Sequence, residues 1–360
     1  MKVLSIGTDR NIFDAESSAR KRMVNYGTLA KELHIIIFAK KELDLEPQKI
    51  AANVFIYPTN SSSRWTYLLD AIRMGKKMKG FDLITTQDPF ETGLVGLKLS
   101  KYLKLKLHVQ IHTDFLSPYF AKERLLNFLR VKIAGYVLPK ANAIRVVSSR
   151  IKKSLKIYEL KTEPVVLPIL TEAKTSKTDF NLHDKYPNLK FLLLTVSRLE
   201  KEKNISLAIE VTKALGQDFG LVIVGDGNLR KKLEKQAKGY NIFFEGWQND
   251  LVSYYETADC YLNTSNYEGY GLSLVEAVSH GLPVVSTDVG VSGDVLLHKV
   301  NSLICPVGDR KCLIEGVASL NKELLSKFRE SNKKISKELS IGWYDYLEKY
   351  RKSWLGAINS

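Results

Sequence analysis

Two glutamates and a pair of cations define the chemistry open to this sequence. Glu268 and Glu276 stand with seven residues between them within SNYEGYGLSLVEAVSHGLPVVSTDVG, which runs from Ser265 to Gly290. Residues 260–264 read as a short buried strand, and Gly269-Tyr270-Gly271 punctuates the loop after it. Leu272, Leu274, Val275, Ala277 and Val278 then have the apolar spacing of a helix, which stops at Gly281-Leu282-Pro283. The result is a strand–loop–helix–strand unit. Backbone N–H groups of Gly271, Leu272 and Ser273 would point into its turn, where the helix dipole favours an anion. Glu276 is fixed on the helix, while Glu268 can reach whatever sits above the turn. A glycine loop that only closes a βα turn, flanked by two surface glutamates, is the plainer alternative.

Arg198 and Lys203 share the loop Ser197-Arg198-Leu199-Glu200-Lys201-Glu202-Lys203-Asn204, between a strand at 190–196 and a helix from Ser206. They can converge on one anion, which suits a diphosphate leaving group whose charge grows as a glycosidic bond breaks. Glu200 and Glu202 leave a surface loop of mixed charge as the alternative. The strand at 221–224 ends in Gly225-Asp226-Gly227, by itself a weak sign of nucleotide binding. His112-Thr113-Asp114 follows a strand at 107–111, so His112 is either a structural hydrogen-bonder or a group facing a cleft, with Asp114 behind it. Asp88 sits at another strand end, as an acceptor contact or as the cap of the next helix. Gly7 and Thr8 close the first strand. Arg20 and Arg22 beyond them could meet an acceptor phosphate or face solvent.

These residues need a scaffold of alternating strands and helices. Apolar runs at 3–6, 34–38, 54–57, 83–86, 107–111, 143–147 and 164–167 read as strands, with helical patterns at 19–33, 67–78, 92–103 and 124–137 between them. That alternation means βαβ units and a parallel sheet covered on both faces, with ligands beyond the C-terminal strand ends. The polar segment 171–184 reads as a linker. It divides the chain into a first domain, 1–168, and a second, 169–340, and an aromatic helix at 341–358 ends the sequence.

The 360 residues suffice for two ordinary domains, and no run nears the ~18 apolar residues that span a bilayer. The sequence enters an apolar strand at once, without a signal peptide ahead of it. Three cysteines without C-x-x-C spacing fit a reducing cytoplasm and argue against a disulfide frame or a zinc site. The net charge of +15 is uneven: residues 1–168 carry +14 and the rest +1. Such asymmetry suggests an anionic partner for the first domain, such as a membrane surface, a phosphorylated lipid or a nucleic acid. The basic stretches 64–81 and 119–157 interleave cations with aromatic and aliphatic residues, as membrane-surface helices do, although packing on the sheet requires the same apolar stripes. Base-reading motifs for nucleic acid are missing.

Glu268 and Glu276 around Gly-Tyr-Gly resemble the E-x7-E motif of retaining GT-B glycosyltransferases, specifically family 4. The residues Ser197-Arg198-Leu199 and Lys203-Asn204 resemble that family's donor diphosphate clamp. The resemblance is strong over 190–310 and architectural in the first domain. It implies an α/β fold of the GT-B kind: two Rossmann-like domains with doubly wound parallel sheets, facing a central cleft. It also implies that Glu276 holds the ribose, that Glu268 and His112 contact the donor sugar, and that Arg198, Lys203 and the helix start at Gly271, Leu272 and Ser273 receive the diphosphate. Gly225, Gly246 and Trp247 would line the base pocket, and the last helix would cross back onto the first domain. Gly7, Thr8, Arg20, Asp88 and Asp114 are candidates on the acceptor side. The family's paired glycines after the first strand are absent, and Asp288 to Asp294 departs from its G-G-x-x-E, which leaves sugar contacts there open.

The activity implied is transfer of a sugar from a UDP- or GDP-sugar to a glycan, lipid-linked or other acceptor in envelope polysaccharide or glycolipid synthesis. No metal and no cofactor beyond that donor substrate is expected. The location implied is cytoplasmic, possible contact with the inner membrane surface included. A sugar-nucleotide epimerase on the same fold, or a non-catalytic basic nucleotide-binding protein at a membrane, are the rival readings. A glycosyl phosphorylase would need a pyridoxal-bearing lysine, for which the sequence makes no case.

Overall fold

The computed structural model describes residues 1–170, 179–339 and 342–360. Strands β1 (Lys2–Gly7), β2 (Glu32–Ile37), β3 (Gln48–Ala51), β4 (Val54–Pro58), β5 (Leu83–Thr86), β6 (Lys106–Ile111), β7 (Ala143–Val146) and β8 (Val165–Val166) form one sheet. Its order is β3-β4-β2-β1-β5-β6-β7-β8. Strands β9 (Phe191–Val196), β10 (Phe219–Val224), β11 (Ile242–Gly246), β12 (Cys260–Asn263), β13 (Val284–Thr287) and β14 (Ser302–Cys305) form a second, in the order β11-β10-β9-β12-β13-β14. Every pairing is parallel except β3 with β4. Ile35 to Ile37 and Leu192 to Leu194 are fully buried, as a sheet covered on both faces requires.

Among its parallel strands each order reverses direction once. In the second sheet the reversal falls between β9 and β12, and in the first between β1 and β5. Loops leaving adjacent strands at such a point diverge to opposite faces and open a crevice. The Arg198–Lys203 loop leaves β9 and the Glu268 loop leaves β12, so topology alone brings them together. Gly7 and Asp88 flank the corresponding point of the first sheet.

The sheets meet through the loops at their C-terminal strand ends. Ser148 Oγ donates to the Gly269 carbonyl at 2.9 Å, the Ser149 N–H to Asp294 at 2.8 Å and the Tyr267 hydroxyl to Glu123 at 2.6 Å. Arg150 pairs with Asp288 beside them. Helix Trp343–Ile358 lies on the first sheet, where Tyr346, Tyr350 and Trp354 are buried with Tyr26 and Leu33. Arg145 of β7 is buried there too. It donates to Gln110 Oε1 at 2.9 Å, to the Leu167 carbonyl at 3.0 Å and to the Tyr346 hydroxyl at 3.0 Å, and it lies 4.7 Å from the Tyr350 ring centre.

Several expectations change. The helical pattern at 19–33 covers a helix, Ser18–Gly27, and the beginning of β2, because Glu32 to Ile37 pair alongside β1. The edge strand β3 runs antiparallel and had no apolar signal. Cys305 and Cys312 form a disulfide with Cα atoms 5.8 Å apart, against the reading of the cysteines as unpaired. The turn at 306–309 folds the helix Arg310–Ala318 back toward β14, a proximity that C-x-x-C spacing does not encode. Of the linker read at 171–184, residues 171–178 lie outside the described residues, as do 340 and 341 at the other boundary.

Trp354 is 1% exposed, so Trp354→Ala should lower the unfolding free energy by about 3–5 kcal/mol. Exposed Tyr344→Ala should stay within about 0.5 kcal/mol of the parent. Urea midpoints measure both, and equal midpoints would mean that the last helix is not integral to the first sheet's core.

Candidate functional site

The helix Leu272–Ser279 starts at Gly271, whose φ of 87° lies in the left-handed region that glycine adopts freely. Gly269 is held by a different constraint. A Cβ there would sit 1.8 Å from the backbone carbonyl oxygen of His112, so only glycine lets the two loops approach this closely. That approach carries Glu268 to the first domain's edge. His112, Arg198, Lys203, Glu268 and Gly269 line one cavity of about 490 Å³ at the junction of the two sheets.

Inside it the charges are already paired. Lys203 Nζ lies 2.5 Å from Glu268 Oε1, at 15% and 12% side-chain exposure, and Ser265 Oγ donates to the same oxygen at 2.9 Å. Arg198 is 70% exposed and reaches Glu202 at 3.1 Å. Arg124 and Arg130 also line the cavity, with Arg124 paired to Glu123 at 3.2 Å and Arg130 to Glu91 at 2.9 Å. Both belong to the stretch 119–157, whose sequence fits either a membrane-facing surface or packing on the sheet. The fold turns them toward the cleft, because the chain from Pro118 to Val137 folds into two helices across its mouth.

His112 has Nε2 3.3 Å from Gln110 Oε1. Burial first, then the charges of Arg145 and Arg22, push its imidazole down to about 3. It can therefore exchange hydrogen bonds near neutrality without carrying charge. Glu276 lies about one helical turn inside and does not line this cavity; its Oε2 accepts from the Tyr255 hydroxyl at 2.8 Å. Gly225 and Gly246 meet at the ends of β10 and β11, where the Gly225 N–H donates to the Gly246 carbonyl at 2.7 Å and Trp247 stands exposed alongside. Ser273 is half-buried on the helix's first turn.

A second cavity, of about 1160 Å³, opens in the first domain. It shares His112, Thr113, Leu126 and Arg130 with the first, so the two adjoin. Thr8, Asp88 and Leu272 line it. The carboxylate of Asp88 accepts from the Phe90 N–H at 2.7 Å, just ahead of the helix Glu91–Leu103. Burial raises its carboxyl to about 6 against that hydrogen bond. The space a side chain would need at Gly7 is filled by Gln87, which accepts from the Thr8 N–H at 3.2 Å.

Two acceptor candidates are not brought here. Arg20 turns aside to the Phe13 carbonyl and to Gln48, because the helix phase points its neighbour Arg22 at the cavity instead. Asp114 faces a separate cavity of about 640 Å³, with Arg150, Asp288 and Asp294. Burial raises its carboxyl, and Arg150 and the Ser117 N–H work against that rise. Sequence reading missed Glu202, Tyr267, Asn228, Arg124 and Arg130 in the cleft. The polar loop composition around Glu202 and Asn228 was the available signal, whereas nothing local marks Tyr267.

Residues 179–338 match the family described as Glycosyl transferases group 1. An uncharacterized glycosyltransferase of Methanocaldococcus jannaschii is 26% identical over 327 residues, covering 87% of this chain and 88% of that one. The alpha-monoglucosyldiacylglycerol synthase of Streptococcus pneumoniae is 28% identical over 242 residues, 60% of this chain and 54% of its own length. Among solved structures, HepE of Anabaena in complex with UDP superposes with a TM-score of 0.76 at 17% identity, over 98% of this chain and 99% of that one. The structural likeness shows the fold, two parallel-sheet α/β domains of the GT-B kind. The family match and the relatives are all glycosyltransferases.

Two outcomes follow from this geometry. Gly269→Ala must push the loops apart, so small-angle scattering should give a larger radius of gyration with unchanged circular dichroism; an unchanged radius would mean that the contact does not hold the junction closed. A histidine whose folded value of about 3 lies below its unfolded value of ~6.5 favours folding in its neutral form, so its contribution is lost as pH falls through that window. Nitrogen NMR shifts should accordingly show His112 neutral at pH 5, and a titration midpoint above 5 would contradict the burial argument.

Proposed function

We propose that this chain is a retaining, metal-independent glycosyltransferase of family 4, moving a sugar from a UDP- or GDP-sugar to an acceptor held by the first domain. One observation carries the reading: His112, Arg198, Lys203 and Glu268, from loops of two different sheets, line one cavity that adjoins a second at His112. A donor in the first and an acceptor in the second would meet at that histidine.

In this reading the diphosphate lies against Arg198, Lys203 and the first turn of the helix Leu272–Ser279. Gly225, Gly246 and Trp247 surround the base, Glu276 holds the ribose and Glu268 the sugar. The acceptor oxygen attacks the anomeric carbon, the bond from that carbon to the β-phosphate oxygen breaks, and the acceptor's proton passes to the departing diphosphate. Arg198 and Lys203 supply the positive charge that stabilises the growing anion. No cofactor beyond the donor is needed. Neutral His112 positions a sugar hydroxyl without opposing charge.

The acceptor is a glycan, a lipid-linked molecule or another nucleophile of envelope or glycolipid synthesis. Among the described residues no helix is long and apolar enough to cross a membrane. The excess charge of the first domain suits peripheral contact with an anionic inner-membrane surface from the cytoplasmic side.

Calorimetric titration with UDP and GDP in EDTA tests the donor side. One nucleotide should bind, and Arg198→Ala should weaken it about 10- to 100-fold, the value of a charge-assisted hydrogen bond. Binding of neither nucleotide, or equal affinity in the variant, would refute the assignment.

A further inference from the structure

The larger cavity carries chemistry that glycosyl transfer in general does not require. Phe38, Leu68, Phe90, Leu129 and Ile133 give it an apolar wall. That wall runs out to a lip where Trp65 is 90% exposed and Leu126 48%. Large apolar side chains gathered at a cavity mouth mark a surface that something covers.

The three carboxylates among its described residues are already engaged, Asp9 with Arg22 at 3.8 Å, Glu91 with Arg130 at 2.9 Å and Asp88 with the Phe90 N–H at 2.7 Å, whereas several of its donors are not. Among the described residues lining it, the Tyr67 hydroxyl, Arg145 Nε and Trp354 Nε1 are buried without a hydrogen-bond partner. All three can donate; the two nitrogens can do nothing else. Arg10 and Arg64 line the same space, and neither pairs with a carboxylate among the described residues. Arg64 also precedes the helix Tyr67–Lys77, whose cap residue Thr66 makes no side-chain capping bond. The free N–H groups of that first turn and the helix dipole add to the positive end. Tyr67, 8% exposed, stands at the same turn with its unpartnered hydroxyl. Buried donors that lack acceptors, beside cations that lack anions, fit a ligand rich in acceptor oxygens and negatively charged.

We propose that the acceptor is an amphipathic phosphate, a lipid whose phosphate meets Arg10, Arg64 and the Tyr67 hydroxyl. Its hydrocarbon chain lies along Phe90, Leu129 and Ile133 and leaves past Leu126 and Trp65. This rests on the reading of the first-domain cavity as the acceptor side. It specifies the acceptor as neither a free glycan nor a neutral lipid. The exposed lip continues the hydrocarbon path outward along the helix Leu125–Val137, where Leu125 and Phe128 are also exposed, toward a membrane that supplies the lipid.

Titration of the full chain by calorimetry with farnesyl phosphate, farnesol and inorganic phosphate, each below its aggregation limit, tests the proposal. Farnesyl phosphate should bind at least about tenfold more tightly than either of the others, since each contributes only half the recognition. Arg64→Gln and Tyr67→Phe should each cost about fivefold to tenfold in farnesyl phosphate affinity and leave farnesol and UDP affinities unchanged. Farnesol binding as tightly as its phosphate would overturn the role of the cations, and inorganic phosphate binding as tightly would overturn that of the apolar wall. UDP titrated into the same samples separates the two readings. A chain that binds UDP but no farnesyl phosphate loses this inference alone. One that binds farnesyl phosphate but no nucleotide keeps the lipid site and loses the donor assignment, and one that binds neither loses both.

Discussion

The approach of Gly269 to the backbone carbonyl of His112 is the constraint on which the site depends. Two loops from separate sheets meet with no room for a β-carbon between them. Ser148 on one side and Tyr267 on the other bond across the same junction, so the contact is built into a wider seam. A seam of this kind sets the distance between groups that neither sheet could place alone. Glu268 and Lys203 come from the second sheet, His112 from the first, and their cavity exists only where the loops touch.

Electrostatics in the cleft follow from that closeness. The cations facing it are already opposed by carboxylates, with Lys203 on Glu268 and Arg198 on Glu202. Partly buried pairs of this type gain Coulomb energy but give up hydration, so their net stabilisation is small and their partners can be exchanged. An entering diphosphate would offer Lys203 a new anion while releasing Glu268 to a sugar hydroxyl. On the proposed reading the ion pair would present a carboxylate once the phosphate has arrived. Arg198 is the more exposed of the two cations and the less costly to redirect.

Much of this arrangement was legible before any coordinates. Runs such as Ile35–Ile37 and Leu192–Leu194 can only be buried strands, and a glycine loop opening a helix after β12 places Glu268 and Glu276 by topology. What stayed hidden was set by long-range packing. The edge strand β3 has no apolar alternation, and the end of the helix Ser18–Gly27 was masked by residues equally suited to β2. The choice between Arg20 and Arg22 turned on helix phase at one position. Arg124 and Arg130 read as surface charge because nothing local says that their helices cross the cleft. Tyr267 has no signal at all, since its partner Glu123 lies in the other half of the chain. The Cys305–Cys312 pairing depends on a turn that residue spacing does not reveal.

A crystal structure of the chain with its nucleoside diphosphate bound would examine the central claim most directly. The β-phosphate should lie within about 3 Å of the Arg198 guanidinium, the Lys203 ammonium and a backbone N–H of the first turn at Leu272 or Ser273, with Glu268 freed from Lys203. A diphosphate bound away from these groups, or one that leaves the Lys203–Glu268 pair untouched, would contradict it.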